Sequence, residues 1–197
     1  MAARDPVSDP DAELMLAFAA GEEEAFTRLY RSYRDRIVNY ARRMLGDEAR
    51  AEEAAQDVFL KLYGSRARYE PRSRFSTYLF RIATNHCLNM NALLDRKLVN
   101  RGVDSEVHID RKARDQADAV AQTQLRERLA AALDTLPDKQ RAALVLVHYE
   151  GLSYREAAGA IEVSESALKS LIHRARGGMV QQLGDVMGED DGVSHAV

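Results

Sequence analysis

Apolar residues recur at intervals of three and four along most of the chain, which is the spacing of a helix with one buried face. Over residues 22 to 45 the stripe is Phe26, Leu29, Tyr30, Tyr33, Ile37, Tyr40, Ala41, Met44 and Leu45, with arginines and glutamates between, and predicts one long helix. Residues 47 to 63 repeat the pattern through Ala51, Ala54, Ala55, Val58, Phe59, Leu62 and Tyr63. Residues 75 to 94 do so through Phe75, Tyr78, Leu79, Ile82 and Ala83. With a short helix near 12 to 20, these predict an all-helical first domain over 11–97.

Between 98 and 121 the stripe fails. The segment RGVDSEVHIDRKARDQADA is polar, lacks aromatics and mixes both charges, the composition of a flexible linker. A second helical set follows at 122–136, from Pro137 through Tyr149, at 153–161 and from Ser164 to about 183, predicting a second domain over 122–183. Residues 184–197, acidic and glycine-rich, read as a flexible tail. Prolines stand only at 6, 10, 71 and 137, and glycines 21, 46, 64, 102 and 151 fall where stripes end, the punctuation of helices. No useful strand alternation occurs. The expected class is all-α, two small helical domains joined by a flexible linker.

Within residues 151 to 176, GLSYREAAGAIEVSESALKSLIHRAR, two helix starts lie close together. Ser153 with Glu156 fits a capping box, and Ser164 is a second N-cap candidate. If Ser164 caps, Leu168, Leu171, Ile172 and Ala175 face Ala157, Ala158 and Ile161. Ser166, Lys169, Ser170, His173 and Arg174 then point outward, a helix-turn-helix whose second helix fits the major groove. An ordinary helical hairpin has the same spacing. Against that reading, the outward face gathers Lys169, His173, Arg174 and Arg176, and no acid occurs between residues 166 and 184.

Charge at first argues against nucleic acid, because the 197 residues sum to −3. The sum conceals a local field: RARYEPRSRFSTYLFR, residues 66 to 81, holds Arg66, Arg68, Arg72, Arg74 and Arg81 with Tyr69, Phe75, Tyr78 and Phe80, against the single acid Glu70. Arginine follows phosphate, and aromatic faces stack on unpaired bases. Asn85 and Asn89 continue the helix, with amide groups able to pair with base edges, whereas Leu79, Ile82 and Phe80 belong to a core. Glu48, Glu52, Glu53, Gln56 and Asp57 form an acidic stripe on the preceding helix, either a solvated face or a docking face for a basic partner.

Other chemistry is sparse. The lone Cys87 permits neither an internal disulfide nor a multi-cysteine metal site, and a cysteine beside His86 is more often packing than sensing. His86, His108, His148, His173 and His195 show no ligand spacing, and no glycine-rich phosphate loop is present. An enzyme, a metal and a cofactor are not expected. No run approaches the ~18 apolar residues of a membrane span, and the first residues lack the order of a signal peptide. The expectation is a cytoplasmic protein without membrane insertion.

These pieces, in this order, resemble the sigma-70 family, specifically the two-domain extracytoplasmic-function group of bacterial RNA polymerase initiation factors. AAGEEEAFTRLYRSYRDRIVNYARRMLGD looks like the opening of region 2 and AEEAAQDVFLKLY like its polymerase-docking helix. RFSTYLFRIATNHCLN resembles the segment that melts and reads the minus-ten element. LPDKQRAALVLVHYEGLSYREAAGAIEVSESALKSLIHRAR resembles region 4, the minus-thirty-five reader.

The resemblance implies a non-enzymatic factor that binds core polymerase, at the largest-subunit clamp and the flap region, and directs it to promoters as duplex and as melted strand. It implies core contacts at Glu53, Gln56, Asp57 and Leu60 and minus-ten contacts at Arg72, Arg74, Phe75, Tyr78, Arg81, Asn85 and Asn89. It further implies minus-thirty-five contacts at Ser164, Ser166, Lys169, Ser170, His173, Arg174 and Arg176, and an anti-sigma partner. Three departures stand out: Tyr78 where relatives often carry tryptophan, Glu162 at a turn position commonly glycine, and Leu171 in place of a frequent arginine. The rival reading, a homodimeric helix-turn-helix regulator, accounts for residues 137 to 183 but leaves the arginine and aromatic run unused.

Overall fold

The structure is a computed structural model that describes residues 9–100 and 127–190, with 98–100 and 184–190 as backbone only. Helices α1 (Pro10–Ala19), α2 (Glu23–Leu45), α3 (Glu48–Ser65) and α4 (Phe75–Asn100) form the first unit, with a 3-10 turn at Arg66–Arg68. The second unit comprises α5 (helical over the described residues 127–134), α6 (Asp138–His148), α7 (Tyr154–Ile161) and α8 (Glu165–Asp190). No strand occurs among the described residues. The expected linker at 98–121 lies almost wholly outside them.

Helix ends follow local chemistry. Asp9 serves two helices at once: one carboxylate oxygen accepts the Asp11 N–H at the start of α1, and the other accepts the Phe75 N–H at the start of α4, 2.7 Å away. Asp47 caps α3, and Gly46 closes α2 in the left-handed region that glycine enters without penalty. Helix α4 continues to Asn100, past the expected end at 94, and α8 to Asp190, past 183. No proline interrupts either stretch, so once a helix is nucleated each further residue adds a hydrogen bond at small cost.

Aromatic residues fill the first unit. Phe18, Tyr40, Phe75 and Phe80 are fully buried. Phe75 meets Tyr33 and Tyr69 edge-on, Phe80 meets Tyr40, and Phe18 contacts Phe26 and Tyr63. Tyr40 donates to or accepts from Thr84 at 2.7 Å, so its buried hydroxyl is satisfied. The second unit packs aliphatic residues instead: Leu133, Leu136, Val145, Leu146, Ile161, Leu168 and Ile172 around Ala142, Ala157 and Ala175. The alanines allow α7 to cross α8 closely.

The two units pack against each other, α7 on α4 and α6 on α2. Arg141 of α6 is buried and donates to the Met44 carbonyl at the end of α2, 2.7 Å away, and to the carbonyls of Asp134 and Leu136. Asn91 of α4 donates to Asp138, and Arg36 of α2 donates to both the carboxylate and the carbonyl of Glu150. The Arg43 guanidinium lies 4.3 Å from the centroid of the Tyr149 ring.

Candidate nucleic-acid and polymerase interfaces

Ser153 and Glu156 form the predicted capping box, which fixes where α7 starts. Helix α7 ends at Glu162, which adopts φ 60° and ψ 48°, the left-handed conformation. The turn therefore does require what glycine supplies most cheaply, and a glutamate supplies it here at a cost of about 1 kcal/mol. Ser164 then caps α8 by accepting the Ala167 N–H.

Leu168, Ile172 and Ala175 of α8 are buried and Leu171 partly so. That rotation leaves Ser164, Ser166, Lys169, Ser170, His173, Arg174 and Arg176 all exposed on the outer face. Arg174 donates through Nε to the Ser170 carbonyl, and Arg176 approaches His148. The predicted minus-thirty-five residues thus come together on one side of one helix, accessible to a groove.

The predicted minus-ten residues divide. Asn85 and Asn89 are exposed one turn apart on α4, and Arg81 lies over the Tyr78 ring at 5.4 Å. Tyr78 is half-buried, with its hydroxyl donating to Ser65 and its ring against Tyr69. Arg72 is exposed and pairs with Glu70, while Arg74 pairs with Glu156 of α7 at 3.3 Å. Phe75 corrects the expectation: its side chain has no exposed area, because the first turn of α4 drives it between Tyr33 and Tyr69, so it is core and not a DNA contact.

On α3, Glu53, Gln56 and Leu60 share an exposed face, and Leu60 keeps 69% of its surface open. Asp57 is half-buried and faces His86 Nε2 at 3.3 Å, while His86 Nδ1 is bonded to Lys61. Burial, and then the Lys61 charge, lower the histidine pKa. Glu52 is held by Arg34.

Sequence reasoning did not find Arg36, Asn91, Arg141 and Glu150, which tie the two units. Only Arg141 had a signal, because it lies four residues before Val145 on an apolar stripe where arginine has no ordinary reason to be. Cys87 is buried, which pushes its thiol up to about 12, an inert packing residue. No group of three or more metal-ligating side chains occurs among the described residues, and no described helix is long and apolar enough to cross a membrane.

The family model for Sigma-70 region 2 matches residues 29–97, and that for Sigma-70 region 4 matches residues 126–177. The chain is 30% identical over 176 residues to the ECF RNA polymerase sigma factor SigW of Bacillus subtilis (strain 168), covering 84% of this chain and 92% of SigW. It is 31% identical over 177 residues to the RNA polymerase sigma factor CarQ of Myxococcus xanthus, covering 89% of this chain and 96% of CarQ. Among solved structures it is similar to CnrH in its complex with the cytosolic domain of CnrY. That match has a TM-score of 0.67 and 25% identity over 90% of this chain and 99% of that one.

Proposed function

The chain belongs to the sigma-70 family, in its extracytoplasmic-function group, and directs RNA polymerase to specific promoters; from that premise we propose how its residues divide the work. The α8 face reads duplex DNA at the minus-thirty-five element, with Lys169 and Arg174 on guanine edges or phosphates and Ser164, Ser166, Ser170, His173 and Arg176 alongside. The α4 surface captures the opened minus-ten element, with Tyr78 and Arg81 at the upstream fork and Asn85 and Asn89 on an unpaired base. Arg72 and Arg74 track the backbone there. Glu53, Gln56, Asp57 and Leu60 dock on the polymerase.

The observation that carries this reading is the exposure of Asn85 and Asn89 on α4 and of the whole predicted set on α8, each on a helix whose opposite face is anchored in core. A homodimeric regulator would leave the Tyr78, Arg81, Asn85 and Asn89 surface without a task. The factor works in the cytoplasm, carries out no catalysis of its own and is held by an anti-sigma protein, as the family resemblance implies; CnrH, to which it is similar, is itself held in a complex with the cytosolic domain of CnrY.

Two variants test the assignment. Asp57→Arg is expected to weaken core polymerase binding, measured by fluorescence titration. Asn85→Ala should leave that affinity intact and lower the fraction of promoter opened, measured by permanganate reactivity of unpaired thymines. Normal core affinity in the first variant, or unchanged opening in the second, contradicts the corresponding role.

A further inference from the structure

The first turn of α4 is not capped by its own neighbours in sequence. Helix α4 opens at Phe75, and the residue before it, Arg74, carries only donors, while the Ser73 hydroxyl donates to the Arg74 carbonyl at 3.3 Å. The Phe75 N–H is one of the groups that a helix start leaves without an internal partner. It is taken by Asp9 Oδ2 at 2.7 Å, across 66 positions of sequence. The other carboxylate oxygen of Asp9 accepts the Asp11 N–H at the start of α1. One side chain thus fixes where two helices begin, and its negative charge stands at the positive end of both.

Asp9 is itself anchored. Ala12, Met15 and Phe18 of α1 are buried, and α1 packs on α2 and α4. Asp11 accepts the Tyr33 hydroxyl at 2.6 Å, and Tyr33 in turn meets the Phe75 ring edge-on. Phe75 is therefore gripped twice, at its backbone by Asp9 and at its ring by Tyr33. What this grip places is the turn that follows: the Tyr78 N–H bonds to the Arg74 carbonyl, its hydroxyl donates to Ser65, and Arg81 lies over its ring. Asn85 and Asn89 stand further along α4, beyond the buried Leu79, Phe80 and Ala83, where the influence of a cap has faded.

We propose that Asp9 is a positioning residue for promoter opening: by capping α4 from α1 it sets Arg74, Tyr78 and Arg81 at the upstream fork, and it leaves base capture by Asn85 and Asn89 untouched. The inference rests on the roles proposed above for these α4 residues.

Asp9→Asn separates the two caps. Asparagine caps α1 as well as aspartate does, but its amide has one oxygen and cannot serve both N–H groups. Amide hydrogen exchange at Phe75 is expected to quicken about fivefold, with Leu79 to Leu88 unchanged. At wild-type core affinity, the variant holoenzyme should open a fully paired promoter about fivefold less, yet match wild type within about twofold on a heteroduplex whose minus-ten element is already unpaired. Removing a negative charge beside DNA would on its own favour binding, so the expected loss has the opposite sign to a bulk charge effect. Asp11→Asn takes the same charge from α1 and weakens its tie to Tyr33 but leaves α4 capped. It should open the paired promoter as wild type does.

Equal losses on the paired and the pre-opened template overturn the proposal, since a factor merely less well folded would fail on both. So do wild-type opening or unaltered Phe75 exchange in Asp9→Asn, and an equal defect in Asp11→Asn. Asn85→Ala checks the reading underneath: it should fail on both templates. Wild-type behaviour of Asn85→Ala on both would strike the assignment of α4, and Phe75 exchange would still decide whether Asp9 caps the helix.

Discussion

The two helical units solve different problems with the same secondary structure. In the first, α4 is both a wall of an aromatic core, through Phe75, Leu79 and Phe80, and the carrier of Tyr78, Arg81, Asn85 and Asn89. In the second, α8 divides cleanly: Leu168, Ile172 and Ala175 anchor one side, and every predicted reader stands on the other. A reader of melted bases needs aromatic and amide groups held by a rigid core, so function and packing share residues. A reader of duplex grooves needs only a protruding polar face. Damage to stability and damage to recognition should therefore be entangled on α4 and separable on α8.

The largest expected effect breaks the first unit. Phe75→Ala should cost about 3–5 kcal/mol by urea denaturation, because a fully buried ring leaves a cavity among Tyr33 and Tyr69. A cost below about 1 kcal/mol would return Phe75 to the surface and to the list of DNA contacts. Next is the joint between units. Arg141→Ala should cost about 2–3 kcal/mol, since it strips donors from the carbonyls of Met44, Asp134 and Leu136.

On α8 the effects should separate. Lys169→Ala or Arg174→Ala is expected to weaken binding of the polymerase complex to the minus-thirty-five element by about 1–3 kcal/mol each, while the denaturation midpoint stays put. Equal losses in stability and binding would erase the contrast with α4. Glu162→Gly should stabilise the second unit by about 1 kcal/mol, by relieving the left-handed strain at φ 60°. A loss of stability there would show that the glutamate side chain compensates for its backbone.

The smallest effect is a pH slope. Burial raises the Glu150 carboxyl pKa, an effect that the nearby Arg36 only partly offsets. A carboxyl raised on folding favours the protonated form, so its contribution to stability is greatest at low pH and falls as pH rises through the raised value. Glu150→Gln should flatten that decline in denaturation midpoints measured just above the ordinary carboxylate range. Parallel pH profiles for the two proteins would remove Glu150 from the account.

Much of this was legible in the sequence, for reasons that differ by unit. The α8 face was readable because burial alternates with period 3.6 and no acid interrupts the basic side, so exposure and charge coincide. On α4 the aromatics fit either role by type alone, and only packing against Tyr33 and Tyr69 decided that Phe75 is core. Asp9 as a shared cap, and the ties from Arg36, Asn91 and Arg141, join positions far apart in the chain. Local periodicity carries no information on such pairs. The closed packing of the units was equally hidden, because a polar linker predicts freedom but not where two domains rest.

Run-off transcription with core polymerase over a library of promoter fragments tests the central claim most directly. The account predicts products from a subset of templates sharing two elements, lost when either element is scrambled. Folded protein that binds core polymerase yet yields no promoter-specific product from any template would contradict it.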